Sequence, residues 1–166
     1  MEPVLHPLTK QITDLLSSKS FWFETFTHDP VLTSEEAAKT RPGYTLQQGA
    51  KAIITKNQKR GSEEEFVMFV IPANLRLSSK KIKKSLDLKG LRFATEEEIG
   101  SLTNGVQRGA IPPLGNLFHI TVYVDLQLYD NEKIVFNAGD RRFSVAMKSA
   151  EYNALVQPTM LDIVDN

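Results

Sequence analysis

The 166-residue sequence contains no cysteine. This excludes disulfides, thiol nucleophiles and thiolate zinc sites, and it suits a reducing cytoplasm, where we expect the protein to work. An excess of charge is missing too: 20 Lys and Arg balance 20 Asp and Glu. Proteins that grip long stretches of phosphate backbone usually carry a basic surplus, so any footprint on nucleic acid should be small. Long apolar runs are absent. The longest, FVMFVI at residues 66–71, has the length of a core strand and cannot cross a bilayer. The opening residues MEPVLHPLTK lack the apolar core and basic leader of a signal peptide. The three histidines, His6, His28 and His119, form no helical pair, which argues against a metal site.

What is present reads as one α+β domain spanning residues 1–166, with helices flanking a mixed, largely antiparallel sheet. Leu8, Ile12, Leu15 and Leu16 mark a first helix over about residues 8–18. FWFETFTH reads as a strand. Thr33 or Ser34 caps a short helix whose first turn carries Glu35 and Glu36, and Arg41-Pro42-Gly43 ends it. AKAIIT is a strand, NQKRGSEEE a polar loop, and EFVMFVIPA a strand with no polar alternation, expected to be central and covered on both faces. SSKKIKKSLDLKG is a helix with a serine cap and a glycine stop. LRFAT is a short strand, and Thr95 with three glutamates caps a helix over about 96–103. Beyond GAIPPLGNLF, three segments (HITVYVDLQLYD, KIVFNAG and FSVAMK) alternate and are joined by short turns, predicting an antiparallel meander. A last short helix with a serine cap follows.

Several familiar chemistries fail on spacing. GYTLQQGAK places glycines near a lysine, but Ala50 precedes Lys51, no Ser or Thr follows it, and the segment enters a strand where a phosphate loop must open a helix. There is no Gly-x-Ser-x-Gly elbow for a serine hydrolase. The run Lys80 to Lys84 reads first as the solvated face of a helix, and second as a phosphate contact.

Two features remain. Lys51 sits in a strand whose two faces both look apolar, with Ile53 on its own side and Ala50, Ala52 and Ile54 on the other. Such a lysine can snorkel into water, pair with a carboxylate, or project into a cavity that a ligand fills. In GAIPPLG, Gly109 permits unusual dihedrals, Pro112 and Pro113 stiffen the loop, and Gly115 allows close approach. The remaining amides suit a small anion or a carbonyl oxygen that turns negative during reaction. The alternative is a rigid connector.

The ordered segments HDPVLTSEEAAKTRP, GAKAIITK, FVMFVIPANLRLSSKKIKKSL, LRFATEEEI and GAIPPLG resemble the YbaK family of aminoacyl-tRNA deacylases, relatives of the editing domain inserted in bacterial prolyl-tRNA synthetases. The resemblance runs from about His28 to Met147. It implies a trans-editing hydrolase that cleaves a small, wrongly attached amino acid (Ala, Ser, Thr, Cys or similar) from tRNA, with no cofactor and no metal. The family's active-site lysine matches Lys51, and its Gly-x-x-x-Pro loop matches Gly109 to Pro113. Gly109 and Pro113 are thus implied catalytic-loop residues. Ala110, Ile111, Pro112, Leu114 and Gly115 are implied substrate neighbours, with His28, Gly139 and Asp140 more loosely so. Ala52 stands where alanine-removing relatives often have asparagine. Partners would be the acceptor end of aminoacyl-tRNA and an aminoacyl-tRNA synthetase, with Lys80, Lys83, Lys84 and Arg141 as candidate tRNA contacts. The rival readings are a non-catalytic tRNA- or synthetase-binding adaptor on the same fold and a lysine enzyme that forms a Schiff base.

Overall fold

A computed structural model describes residues 4–166. Among these residues five α-helices, α1 (Pro7–Ser18), α2 (Ser34–Lys39), α3 (Ser79–Leu86), α4 (Glu96–Thr103) and α5 (Ser149–Val156), flank eight strands. The strands are β1 (Phe23–Thr27), β2 (Ala50–Lys59), β3 (Glu64–Pro72), β4 (Leu88–Phe93), β5 (Thr121–Asp125), β6 (Lys133–Asp140), β7 (Phe143–Lys148) and β8 (Thr159–Leu161). The α+β reading holds, with the strands divided between two sheets of order β1-β7-β6 and β4-β2-β3-β5-β8. A parallel bridge between Gly49 and Val135 joins them. Most pairings are antiparallel; β5 runs parallel to both β3 and β8.

β3 is central because nothing on it tolerates water. Met68 and Val70 enter the main core with Ile12, Leu16, Ile54, Val124 and Phe136, while Val67, Phe69 and Ile71 enter a second core with Ile82 of α3. All five β3 residues are at most 1% exposed. α3 therefore covers one face of the five-stranded sheet, and the larger core lies on the other.

Helix starts follow the residues that can accept the free first-turn amides. Thr33 accepts from Glu36, Ser78 from Lys81, and Thr95 from Glu98, whose carboxylate returns to the Thr95 amide. Some ends differ from expectation. α3 stops at Asp87, in the left-handed region at φ 52°, and Gly90 lies inside β4. Ser149 does not cap α5; its hydroxyl donates to the Asn131 carbonyl. β2 also continues through Asn57, which was expected in a loop but is buried, accepting a hydrogen bond from Thr55.

The expected three-stranded meander is not formed. β5 ends at Asp125, which is 1% exposed and accepts hydrogen bonds from the amides of Gln127 and Ile163. The first starts a 3-10 turn over Leu126–Asp130; the second holds the chain just after β8. This carboxylate keeps β5 beside β3 and leaves β6 and β7 as a hairpin, whose third strand is the distant β1. At the hairpin tip Asp140 accepts from the Arg142 guanidinium and amide and from the His6 amide, while Arg142 also donates to the Val4 carbonyl. The start of α1 is tied down there.

Replacing Asp125 with alanine leaves two amides without an acceptor and should lower stability by about 2–3 kcal/mol in urea denaturation. Chiefly through its hydrogen bonds to Arg142, Asp140 has its pKa lowered from 3.8 to about 2. Its stabilising effect is complete above the ordinary carboxylate range and is lost as pH falls from about 4 toward 2. The stability gap between wild type and Asp140→Asn should therefore be largest above about pH 5 and shrink below pH 4, as read by denaturant midpoints across pH.

Candidate active site

β2 is flanked by β3 along nearly its whole length, but by β4 only from Thr55 to Lys59. The last bond on the β4 side runs from the Ala94 amide to the Ile54 carbonyl, 3.0 Å. N-terminal to that point the outer edge of β2 has no strand partner among the described residues. Backbone groups alternate in direction along an antiparallel strand, so the N–H and C=O of Ala52, which share the orientation of Ile54, face this open side. The gap is a cleft of about 570 Å³. Its walls come from the start of α2, residues 49–54, the end of β4, α4, the Gly109 loop and β6.

Lys51 and Gly109 line this one cleft. Lys51 is exposed and takes part in no ion pair among the described residues, so of its three options carboxylate pairing falls away and solvent and the cavity remain. Gly109 has φ +87°, which a side chain would strain. The Ala110 amide is occupied by the Gln107 carbonyl, whereas the Gly109 and Ile111 amides have no acceptor among the described residues. Ile111 also lines the cleft.

The rest of the loop is buried support. Ala110, Pro112, Pro113, Leu114 and Gly115 are buried and lie off the cleft wall. The Ala110 carbonyl accepts from the Gly139 amide at 2.8 Å, and the Pro113 carbonyl from the hydroxyl of Tyr152, itself fully buried. Gly115 has no room for a side chain: a Cβ there would stand 2.4 Å from Val122 Cγ2 and 2.7 Å from the Ile120 carbonyl.

Sequence reasoning passed over Arg41, treating it only as part of a helix stop. It is 6% exposed and lines the cleft. Its Nε donates to Ser144 Oγ and its Nη2 to Asn137 Oδ1, each at 3.0 Å, and no carboxylate pairs with it among the described residues. Loss of hydration lowers its pKa to about 10, so it stays charged at neutral pH. Asn137 Nδ2 in turn donates to the Gly109 carbonyl at 2.8 Å. One buried cation thus steadies the glycine loop through an amide. No pattern in the sequence signals this, because the burial of Arg41 is decided by tertiary packing.

The other predicted residues are scattered. His28 is outside the cleft yet joined to this network: its Nε2 lies 2.8 Å from Ser144 Oγ, and its Nδ1 lies 2.9 Å from the Asp29 carbonyl. Asp140 lies at the hairpin tip. Arg141 packs beside Gly109 and donates to the Arg108 carbonyl at 2.9 Å. Lys80, Lys83 and Lys84 are on α3, across the sheet from the cleft-side core. Glu35 is the only carboxylate on the cleft wall among the described residues.

Known proteins resemble this chain in sequence and in fold. The chain is 29% identical over 154 residues to the multifunctional Ser/Thr-tRNA deacylase ProXp-y of Escherichia coli K12, covering 92% of this chain and 90% of that protein. A solved structure of a candidate trans-editing enzyme for prolyl tRNA synthetase shares the fold, with TM-score 0.81 and 22% identity over 98% of this chain and all of that one. So does the hypothetical protein APE2540, with TM-score 0.79 and 19% identity over 93% of this chain and 99% of that one. The aminoacyl-tRNA editing domain matches residues 28–155, most of the chain and all of the cleft, and the protein belongs to that family.

Proposed function

We propose that the protein is a trans-editing deacylase: it hydrolyses the ester between a small, wrongly attached amino acid and the terminal ribose of tRNA. The observation that carries this reading is that Lys51 and the Gly109 loop share one small cleft. Water adds to the ester carbonyl carbon, the carbon–oxygen bond to the ribose breaks, and the ribose oxygen leaves as a hydroxyl, the proton coming from the attacking water. The substrate's own free ribose hydroxyl helps to place that water. The Gly109 and Ile111 amides and the free edge of the Arg41 guanidinium are donors for the carbonyl oxygen as it turns negative, and one well-aimed donor contributes roughly 10²–10³ in rate. Lys51, exposed at the cleft edge, pairs with the phosphate of the terminal nucleotide. Glu35 suits the ammonium of the amino acid.

A second sieve has a physical purpose. Apolar pockets separate side chains that differ by one methylene only about 10–200-fold, so mischarging of small mimics is expected. The relative named as a Ser/Thr-tRNA deacylase supports serine and threonine as the substrates to try first. We take residues 1–166 as one editing domain, working in the cytoplasm on the acceptor end of tRNA beside a synthetase.

The test is a panel of Ala-, Ser-, Thr-, Cys- and Pro-charged tRNAs incubated with wild type and Lys51→Ala. Lys51 is exposed and tethered to nothing, so the variant should melt with the wild type. We expect release of one or more small amino acids by wild type and at least a ~10²-fold loss in the variant. Equal turnover by both proteins would refute the assignment.

A further inference from the structure

Among the described residues, five large apolar side chains are conspicuously exposed: Val4, Leu32, Phe93, Leu126 and Met160. Two of them, Leu32 at 69% and Phe93 at 59%, line the same cleft as Lys51. They come from different elements, Leu32 from the approach to α2 and Phe93 from the end of β4. Phe93 is not a floppy loop residue. Its backbone pairs with Thr55 of β2, and the next residue, Ala94, is buried and hydrogen-bonded to Ile54. The ring therefore stands in water on a rigid support.

Exposed phenylalanine in contact with a cleft asks for a flat apolar occupant. The charges beside it narrow the choice. Arg108 donates to the Ala94 carbonyl at 3.1 Å, and Lys51, Arg41 and Arg108 face Glu35 as the only wall carboxylate among the described residues. An aromatic face set among cations is the combination that binds single-stranded nucleotides: the base stacks while the phosphate meets the positive charge. A purely apolar peptide partner would gain nothing from three cations.

We propose that Phe93, with Leu32 lining the same cleft, is the platform on which the unpaired 3′-terminal nucleobase of tRNA stacks, which anchors the acceptor end at the cleft. This deepens the deacylase reading and rests on it for the identity of the ligand. Phe93 acts in binding and takes no part in the chemistry.

Two arms test the proposal. In the first, a short single strand whose 3′-terminal adenine is replaced by 2-aminopurine is titrated with wild type, Phe93→Ala, Phe93→Trp and Leu126→Ala, and stacking is read as fluorescence quenching. Quenching should appear with wild type, vanish in Phe93→Ala, and return in Phe93→Trp; Leu126, exposed elsewhere, should behave as wild type. Absent quenching with wild type, or undiminished quenching in Phe93→Ala, overturns the proposal. This arm needs no hydrolysis, so it stands even if no tRNA is deacylated. In the second, deacylation of mischarged tRNA is compared with hydrolysis of the ethyl ester of the same amino acid, which has no base. Phe93→Ala should raise KM for the tRNA about 10–100-fold with little change in kcat, and leave the ethyl ester unaffected. An equal loss on both substrates would instead make Phe93 a wall of the amino-acid pocket and overturn the base assignment.

Discussion

Burial of β3 on both faces is the constraint from which the rest follows. From Val67 to Ile71 every side chain is withdrawn from water, alternately into two cores. Burying five such side chains contributes on the order of 1.5–3 kcal/mol each before entropy is set against it. A strand so committed must have neighbours on both edges and layers on both faces. β2 and β5 supply the edges, α3 one layer, and the hairpin sheet with α1 the other. β2, held firmly on its β3 side, is then free to part from β4 without falling out of the sheet. The cleft opens where that parting occurs.

The cleft contains a cation that the fold holds at a cost. Arg41 is withdrawn from water and rests on two neutral oxygens, Ser144 Oγ and Asn137 Oδ1. Buried charges are ordinarily paired, and breaking such compensation costs several kcal/mol. Neutral partners offset only part of this, so the site keeps an appetite for negative charge. The same bonds run on to the Gly109 carbonyl, so the electrostatics and the positioning of the loop are one construction.

Much of this could be read from the chain because it is encoded locally. Thr33, Ser78 and Thr95 announce their helices by chemistry that acts over three residues, and the unbroken apolar run of β3 declares double burial by itself. The lysine and the glycine–proline loop were legible as a pair by resemblance, although 57 residues separate Lys51 from Gly109. Features decided at long range stayed hidden. β1 pairs with β7 across more than a hundred residues, and no pattern in FWFETFTH names that partner. Asp125 looked like a solvent-side residue of an alternating strand, yet its carboxylate reaches the Ile163 amide and sends β5 into the other sheet. Arg41 carried every mark of a solvated helix end.

The unpaired stretch of β2 bears on self-association. An exposed strand edge normally invites a second chain to extend the sheet, the route by which proteins aggregate. Here the bare edge is only a few residues long, recessed behind α2 and α4, and carries the charge of Lys51. So short an edge offers a foreign strand few hydrogen bonds, and the charge of Lys51 adds a desolvation cost to any apolar strand that would pair there.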